Sequence, residues 1–264
     1  VTLPHVDDAE LPVFYPQDYG PYDDRMRPIE RLVSSVIRSM QSRSALRRAP
    51  LAALRTRPPA RGLDVGCGRG DLAAALRAQG WRMEGIEPSA EACARATVRG
   101  IDVRQGTLTS VTLESAAYDA VIFRHSLEHI NDPVAALCRV AAALRPGGVV
   151  LITVPNFASW QARRFRGYWY HLDLPRHRVH LTPGALERAL RAAALQVVSL
   201  STSSTTVGLP ASIQYRLVGR CLFPAGAGLR VASGLCAALL PLTSALNRGA
   251  GGGDVVHVVA RRPA

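Results

Sequence analysis

From residue 28 to about residue 48, apolar side chains fall at Ile29, Leu32, Val33, Val36, Ile37 and Met40, the spacing of one face of a helix. This predicts an amphipathic helix packed on the main body of the protein. The stretch before it, FYPQDYGPYDDR, is interrupted by proline too often for regular structure and reads as an ordered loop or lid. From Gly62 the pattern changes to short apolar runs, GLDVG, RMEGIE, IDVR, YDAVIF and VVLITV, separated by stretches of helical period near 71–78, 89–99 and 133–144. Strands alternating with helices are the signature of repeated βα units and a parallel sheet. The third helix has Asp132 placed as N-cap, Pro133 at its first position and Pro146-Gly147 just past its end. Another helix starts in the same way at Thr182-Pro183, runs to about Ala194 and leads into LQVVSLS.

Residues 205–253 are apolar and broken by glycine and proline, and a last strand, DVVHVVARR, follows them. The expected fold is a doubly wound α/β domain with a seven-stranded, mostly parallel sheet. Its expected organisation is a loop and lid helix over 1–60, a core over 61–204 with a substrate-side loop at 156–181, a helical cap insertion over 205–253, and the final strand over 254–264. Within residues 205–253 the long uncharged part 231–246 contains Pro241 and falls short of the roughly 20 apolar residues that span a bilayer. It is expected to be buried or interfacial, and packing on the core and docking at a membrane surface both remain open.

The 264 residues are 48% apolar and 20% charged, a globular composition long enough to bury a full core. The formal charge is +12, and with no lysine present all 32 basic residues are arginine, against 20 acidic ones. Coding bias explains arginine replacing lysine but not the excess of bases. An anionic partner fits that excess: a phosphorylated or carboxylated substrate, an anionic membrane surface, or nucleic acid; a basic surface with no dedicated partner fits as well. The five cysteines are widely spaced with no CxxC pair, which argues against a disulfide framework or a zinc knuckle. The acidic opening VTLPHVDDAELP lacks a basic segment followed by an apolar run, so a cytoplasmic location is expected, with contact at the inner membrane surface left open.

Candidate chemistry begins at LDVGCGRG, residues 63–70, where a strand ends and a helix opens. Glycine there lets the backbone turn tightly and come close to a ligand. Gly66, Gly68 and Gly70 give GxGxG rather than GxGxxG, and Asp71 stands where a third dinucleotide-binding glycine belongs, so a nicotinamide cofactor is disfavoured. The next apolar run ends on Glu87, about where a carboxylate accepting hydrogen bonds from both ribose hydroxyls belongs in such a fold.

Four stretches, LDVGCGRG, GIEPS, YDAVIFRHSLEHINDP and LRPGGVVLITVPN, occur in an order that resembles the class I S-adenosylmethionine-dependent methyltransferases, in particular their small-molecule, ubiquinone-pathway-like branch. The resemblance covers about residues 60–200 and implies a Rossmann-like sheet with S-adenosylmethionine as cofactor and S-adenosylhomocysteine as product. It implies that Asp64, Gly66, Cys67 and Gly68 surround the methionine part, that Glu87 holds the ribose, and that Pro88 lies beside the adenine. Where relatives often carry an acid that reads the adenine amine, this chain has Thr107, with Gly106 and Leu108 offering backbone contacts. Arg124 and His125 would flank the carboxylate and the methyl group. In related proteins the last two strands form a hairpin, whereas here about 50 residues separate them.

Methyl transfer to a hydroxyl gains from positioning and from a base near the sulfonium. His125 and His129 are the candidate bases; the alternative is that Glu128-His129 orders the loop after the fourth strand. The segment NFASWQARRFRGYWYHLDLPRHRVHLTP supplies Trp160, Tyr168, Trp169, Tyr170, His171, Arg176 and His177, with His180 close by, as a candidate wall for a flat or anionic acceptor. Its tryptophans would equally serve to pack the loop. His171, His177 and His180 with Asp173 do not show the spacing of a metal site, and no metal is expected. The expected activity is O-methylation of a small molecule such as a sugar, polyketide, quinone or lipid-linked intermediate, since FRHSLEH replaces the proline-framed clamp used for amino groups on bases. A nucleic-acid methyltransferase or binding protein is the alternative, although the arginines are scattered and no RNA-binding module is recognisable. A cofactor-binding protein without transfer chemistry is a third reading.

Overall fold

A computed structural model describes residues 60–205, 207–219, 245 and 252–264. The expected lid helix and the loop before it, and most of the 205–253 insertion, lie outside the described residues. The described residues hold seven strands: β1 (Arg61–Val65), β2 (Arg82–Glu87), β3 (Asp102–Gln105), β4 (Tyr118–Arg124), β5 (Leu144–Pro155), β6 (Gln196–Ser203) and β7 (Val255–Arg261). They form one sheet in the order β3-β2-β1-β4-β5-β7-β6. The first five are mutually parallel, and β7 runs antiparallel between β5 and β6. The fold is therefore the doubly wound, mostly parallel sheet expected from the alternation of strands and helices.

The helices are α1 (Asp71–Arg77), α2 (Ala90–Val98), α3 (Pro133–Ala143), α4 (Trp160–Phe165), α5 (Pro183–Ala192) and α6 (Gly208–Val218). The two caps read from sequence form as expected: Asp132 accepts the Ala135 N–H at 2.9 Å and Thr182 accepts that of Ala185 at 3.2 Å, each satisfying an otherwise orphaned helix donor. Central strands are buried on both faces, as parallel sheets require. Val121 and Phe123 of β4, with Val150, Ile152 and Val154 of β5, pack under α3 and α5, while Ala120, Ile122, Val149 and Leu151 face α1 and α2.

The structure differs from the sequence reading at the start of β5. Pro146-Gly147 reads as a helix stop followed by a strand at 149–154, yet the strand begins at Leu144, which pairs with Tyr118 ahead of a register shift. Gly147 makes this irregularity feasible with φ of +77°, a conformation that costs glycine little. The substrate-side loop also holds more structure than its composition suggests: Ser159 caps the short α4, and two 3₁₀ turns follow at Arg166–Tyr168 and Tyr170–Leu172. Ala162, Phe165 and Trp169 of this segment pack on Leu209 of α6 as a small separate core. Among the described residues, no helix is long and apolar enough to cross a membrane.

Candidate active site

In a doubly wound sheet, ligands bind beyond the carboxyl ends of the strands where the strand order reverses, here between β1 and β4. The glycine turn after β1 and the segment after β4 meet at that place. A Cβ on Gly66 would stand 2.7 Å from Ser126 Cβ, so only glycine lets the two turns approach this closely, and its φ of +73° imposes the same choice. Gly68, with φ of +55°, faces open space instead. Its backbone N–H donates to Glu87 Oε2 at 2.9 Å, and the Ser89 N–H donates to Oε1 at 3.0 Å. Glu87, 2% exposed, is thereby held as a preorganised carboxylate at the end of β2 with lone pairs to spare.

Asp64, the penultimate residue of β1, is 3% exposed and accepts no hydrogen bond among the described residues. Burial pushes its carboxyl up to about 7; Arg124 partly opposes that shift and the Glu87 charge adds to it. A carboxylate in this position favours a bound cation. Beside it, burial and then the two carboxylates push the Cys67 thiol up, which leaves that residue a packed, unreactive side chain against Gly85. Glu87, Asp64 and the space above Gly68 fit the ribose, the cationic amino-acid end and the backbone path of S-adenosylmethionine. Pro88 is exposed next to Glu87, Leu108 is buried, and Gly106 donates its N–H to the Glu87 carbonyl. The Thr107 hydroxyl is engaged with Thr109 and Ser110.

After β4 the chain turns at His125, whose φ of +55° is unusual for a non-glycine residue. Its N–H donates to the Thr153 carbonyl, and its side chain remains 41% exposed. His125 Nδ1 stands 3.4 Å from Oε1 of Glu128, an ion-pair contact too poorly aligned to be a hydrogen bond. Glu128 itself is 1% exposed, and among the described residues neither of its oxygens accepts a hydrogen bond. Burial alone would raise its carboxyl, but His125 first, then His177 and His129, outweigh burial and hold it below the usual glutamate value.

The substrate-side loop closes over this carboxylate. Its backbone is anchored where Arg178 and Val179 donate their N–H groups to the Glu128 carbonyl. His177 Nε2 lies 3.9 Å from Glu128 Oε1, and its Nδ1 pairs with the His171 carbonyl at 2.8 Å. Burial above all pushes the His177 imidazole down to about 4, so the ring is neutral near pH 7. His129 Nδ1 pairs with the Arg176 carbonyl at 3.0 Å, and its ring meets that of His177 edge-on.

The remaining loop residues are spread more widely. His171 Nε2 lies 3.1 Å from Asp254 Oδ2, and Asp254, with no exposed surface, also takes the Thr205 N–H and hydroxyl. His180 pairs with the Leu172 carbonyl, and Arg176 forms an ion pair with Asp173. His171, His177 and His180 thus turn to three different partners. Trp169 is buried, Trp160 half-buried, and Tyr170 donates its N–H to Ser212 of α6. Tyr168 is exposed, with Arg216 6.0 Å over its ring. Glu128 and Asp254 are the centres that the sequence reading did not place in the site; an acid opening the otherwise apolar DVVHVVA run was the one signal for the latter.

A glycine turn with a strand-end carboxylate at the reversal point of the sheet defines a nucleoside-cofactor α/β domain. Residues 37–200 match the family described as methyltransferase domain. The chain belongs to that family, the class I domains that use S-adenosylmethionine. Among curated proteins it is 29% identical over 153 residues to a ubiquinone biosynthesis O-methyltransferase of Idiomarina loihiensis, covering 53% of this chain and 63% of the relative. It is 32% identical over 170 residues to one of Rhodopseudomonas palustris, covering 60% and 66% respectively. The chain therefore spans less than two thirds of the length of these relatives. Of the solved structures, a SAM-dependent methyltransferase from Archaeoglobus fulgidus is 18% identical with TM-score 0.57, over 85% of this chain and 94% of that one. The phosphoethanolamine N-methyltransferase 2 of Haemonchus contortus, in complex with S-adenosyl-L-methionine, is 17% identical with TM-score 0.57, over 81% and 52%. These two share the fold.

Proposed function

We propose that the protein methylates a hydroxyl oxygen of a small molecule, with His125 as the base and Glu128 as the group that orients it. The observation that carries this reading is the buried Glu128 carboxylate 3.4 Å from Nδ1 of a half-exposed histidine at the mouth of the cofactor crevice. Asp64, Gly66, Gly68 and Glu87, with Pro88, Gly106, Leu108 and Arg124 around them, hold the cofactor, which supplies a methyl group on a sulfonium with an excellent leaving group. An acceptor hydroxyl must lose its proton as its oxygen bonds to carbon. With its Nδ1–H turned to Glu128, His125 presents Nε2 as the proton acceptor, and the carboxylate stabilises the imidazolium that results. Such an arrangement contributes about 10²- to 10⁴-fold in rate.

The relatives named as ubiquinone biosynthesis O-methyltransferases support oxygen as the acceptor atom and a small, flat or lipid-linked molecule as the substrate. Trp160, Tyr168 and Tyr170 with the arginines of the 156–181 segment suit such a molecule, including an anionic one at a membrane surface. The test is a panel of hydroxylated acceptors with S-adenosylmethionine labelled in its methyl group, with the product examined for O–CH₃. The expected result is O-methylation that falls about 100-fold or more in His125→Ala with cofactor affinity intact. Methylation of carbon or nitrogen, or an unaffected His125→Ala, overturns the assignment.

A further inference from the structure

We propose that Glu128, His129 and His177 form a binding site for one divalent transition-metal ion of the zinc or ferrous type. The three residues come from two separate segments, the turn after β4 and the substrate-side loop, and one ligand atom from each lies within 4.8 Å of the other two. Two imidazoles and one carboxylate are the donor set of open, three-residue transition-metal sites. Magnesium and calcium, which prefer all-oxygen shells, suit it poorly.

Three features distinguish this cluster from a chance meeting of polar groups. Both histidines pair Nδ1 with a main-chain carbonyl, His129 with that of Arg176 and His177 with that of His171. Since a carbonyl only accepts, each ring turns an Nδ1–H to its carbonyl, which leaves Nε2 as the atom able to ligate. Orientation of a ligating histidine by an acceptor behind it is the usual outer-shell arrangement of metal sites. Second, Glu128 is nine-tenths or more buried and neither oxygen accepts a hydrogen bond among the described residues; its contacts with His125 and His177 are the looser ones at 3.4 and 3.9 Å, so a cation seated against it would be favourable. Third, the approach needed is small. Tetrahedral donors at about 2.1 Å from an ion are about 3.4 Å apart, and His177 Nε2 to Glu128 Oε1 is already 3.9 Å. Rotations that draw the ligand atoms in by up to about 1.4 Å complete the site.

Such an ion would fasten the substrate-side loop to the turn that carries His125, and it would keep coordination positions open. Metal binding and cofactor binding involve different residues, so they are separable by experiment. The full chain is stripped with chelator and titrated with Zn²⁺ by calorimetry, and with Co²⁺ while the visible absorption of the tetrahedral ion is followed. One ion per chain and a Co²⁺ band are expected, with affinity falling at least about 100-fold in Glu128→Gln and in His177→Gln. S-adenosylmethionine titration of each variant and of the stripped protein reports on folding and is expected to be retained. Sub-stoichiometric Zn²⁺ uptake by stripped protein that still binds S-adenosylmethionine overturns the proposal. So does Zn²⁺ affinity that both variants leave unchanged.

Discussion

Asp64→Asn is expected to make the protein more stable and a poorer binder of its cofactor, both at once. The carboxyl of Asp64 rises from 3.8 to about 7 on burial, and three units at about 1.36 kcal/mol each correspond to about 4 kcal/mol. Because the folded-state value lies above the unfolded one, the folded chain binds the proton more tightly. The penalty is therefore absent below pH 4, grows as pH rises towards 7, and is complete above it. Asparagine is nearly isosteric and carries no charge to desolvate. It also brings an amide that needs partners, so the gain at pH 8.5 should be about 2–4 kcal/mol, on the order of 5–10 °C in Tm. At pH 4 the two proteins should melt together. Cofactor affinity should fall about 10- to 100-fold at pH 8, since a charged hydrogen bond of about 1.5–3 kcal/mol is lost. In the wild type that affinity should weaken as pH drops below 7. Thermal unfolding across pH and calorimetric titration measure both effects. A variant less stable at pH 8.5, or a stability difference that ignores pH, would refute the view of Asp64 as a carboxylate waiting for a cation.

Other consequences are as direct. Glu87→Ala removes the acceptor held by the Gly68 and Ser89 N–H groups, and should lower S-adenosylmethionine affinity by 10-fold or more on the order of 1.5–3 kcal/mol per charged hydrogen bond, as read by titration. Gly66→Ala and Gly68→Ala should separate in urea denaturation: the first meets Ser126 at 2.7 Å and should cost about 2–3 kcal/mol, the second about 1. Both should bind cofactor poorly, Gly68→Ala because its methyl group enters the ligand's space. His171→Ala leaves the fully buried Asp254 carboxylate with Thr205 as its remaining partner among the described residues, and should destabilise by about 2–4 kcal/mol in the same assay.

Local signals carried the fold well. The short apolar runs of β1 to β5 and the caps at Asp132 and Thr182 are decided within a few residues, so they are readable without tertiary information. The glycine turn and Glu87 were legible for the same reason: a backbone conformation and a strand end define them. The early part of β5 was not, because Pro146-Gly147 is a strong stop signal that cross-strand pairing with β4 overrides. The histidines could be picked out by type but not sorted by role. His129 and His177 meet across the fold, while His171, six residues from His177, is drawn to Asp254 at the start of a strand far along the chain. No spacing rule encodes those partners.

The register of β6 and β7 bears on where this fold tolerates inserted chain. Ser203 and Val255 are direct partners across the ladder, so the chain leaves the sheet and returns to it at neighbouring points. For the sheet, everything between them is the loop of one antiparallel hairpin. Closing such a loop costs only about 0.6 kcal/mol more for each doubling of its length. Segments of different size and composition can therefore be exchanged there over evolutionary time at little thermodynamic cost, beside a cofactor crevice whose own residues lie elsewhere in the chain.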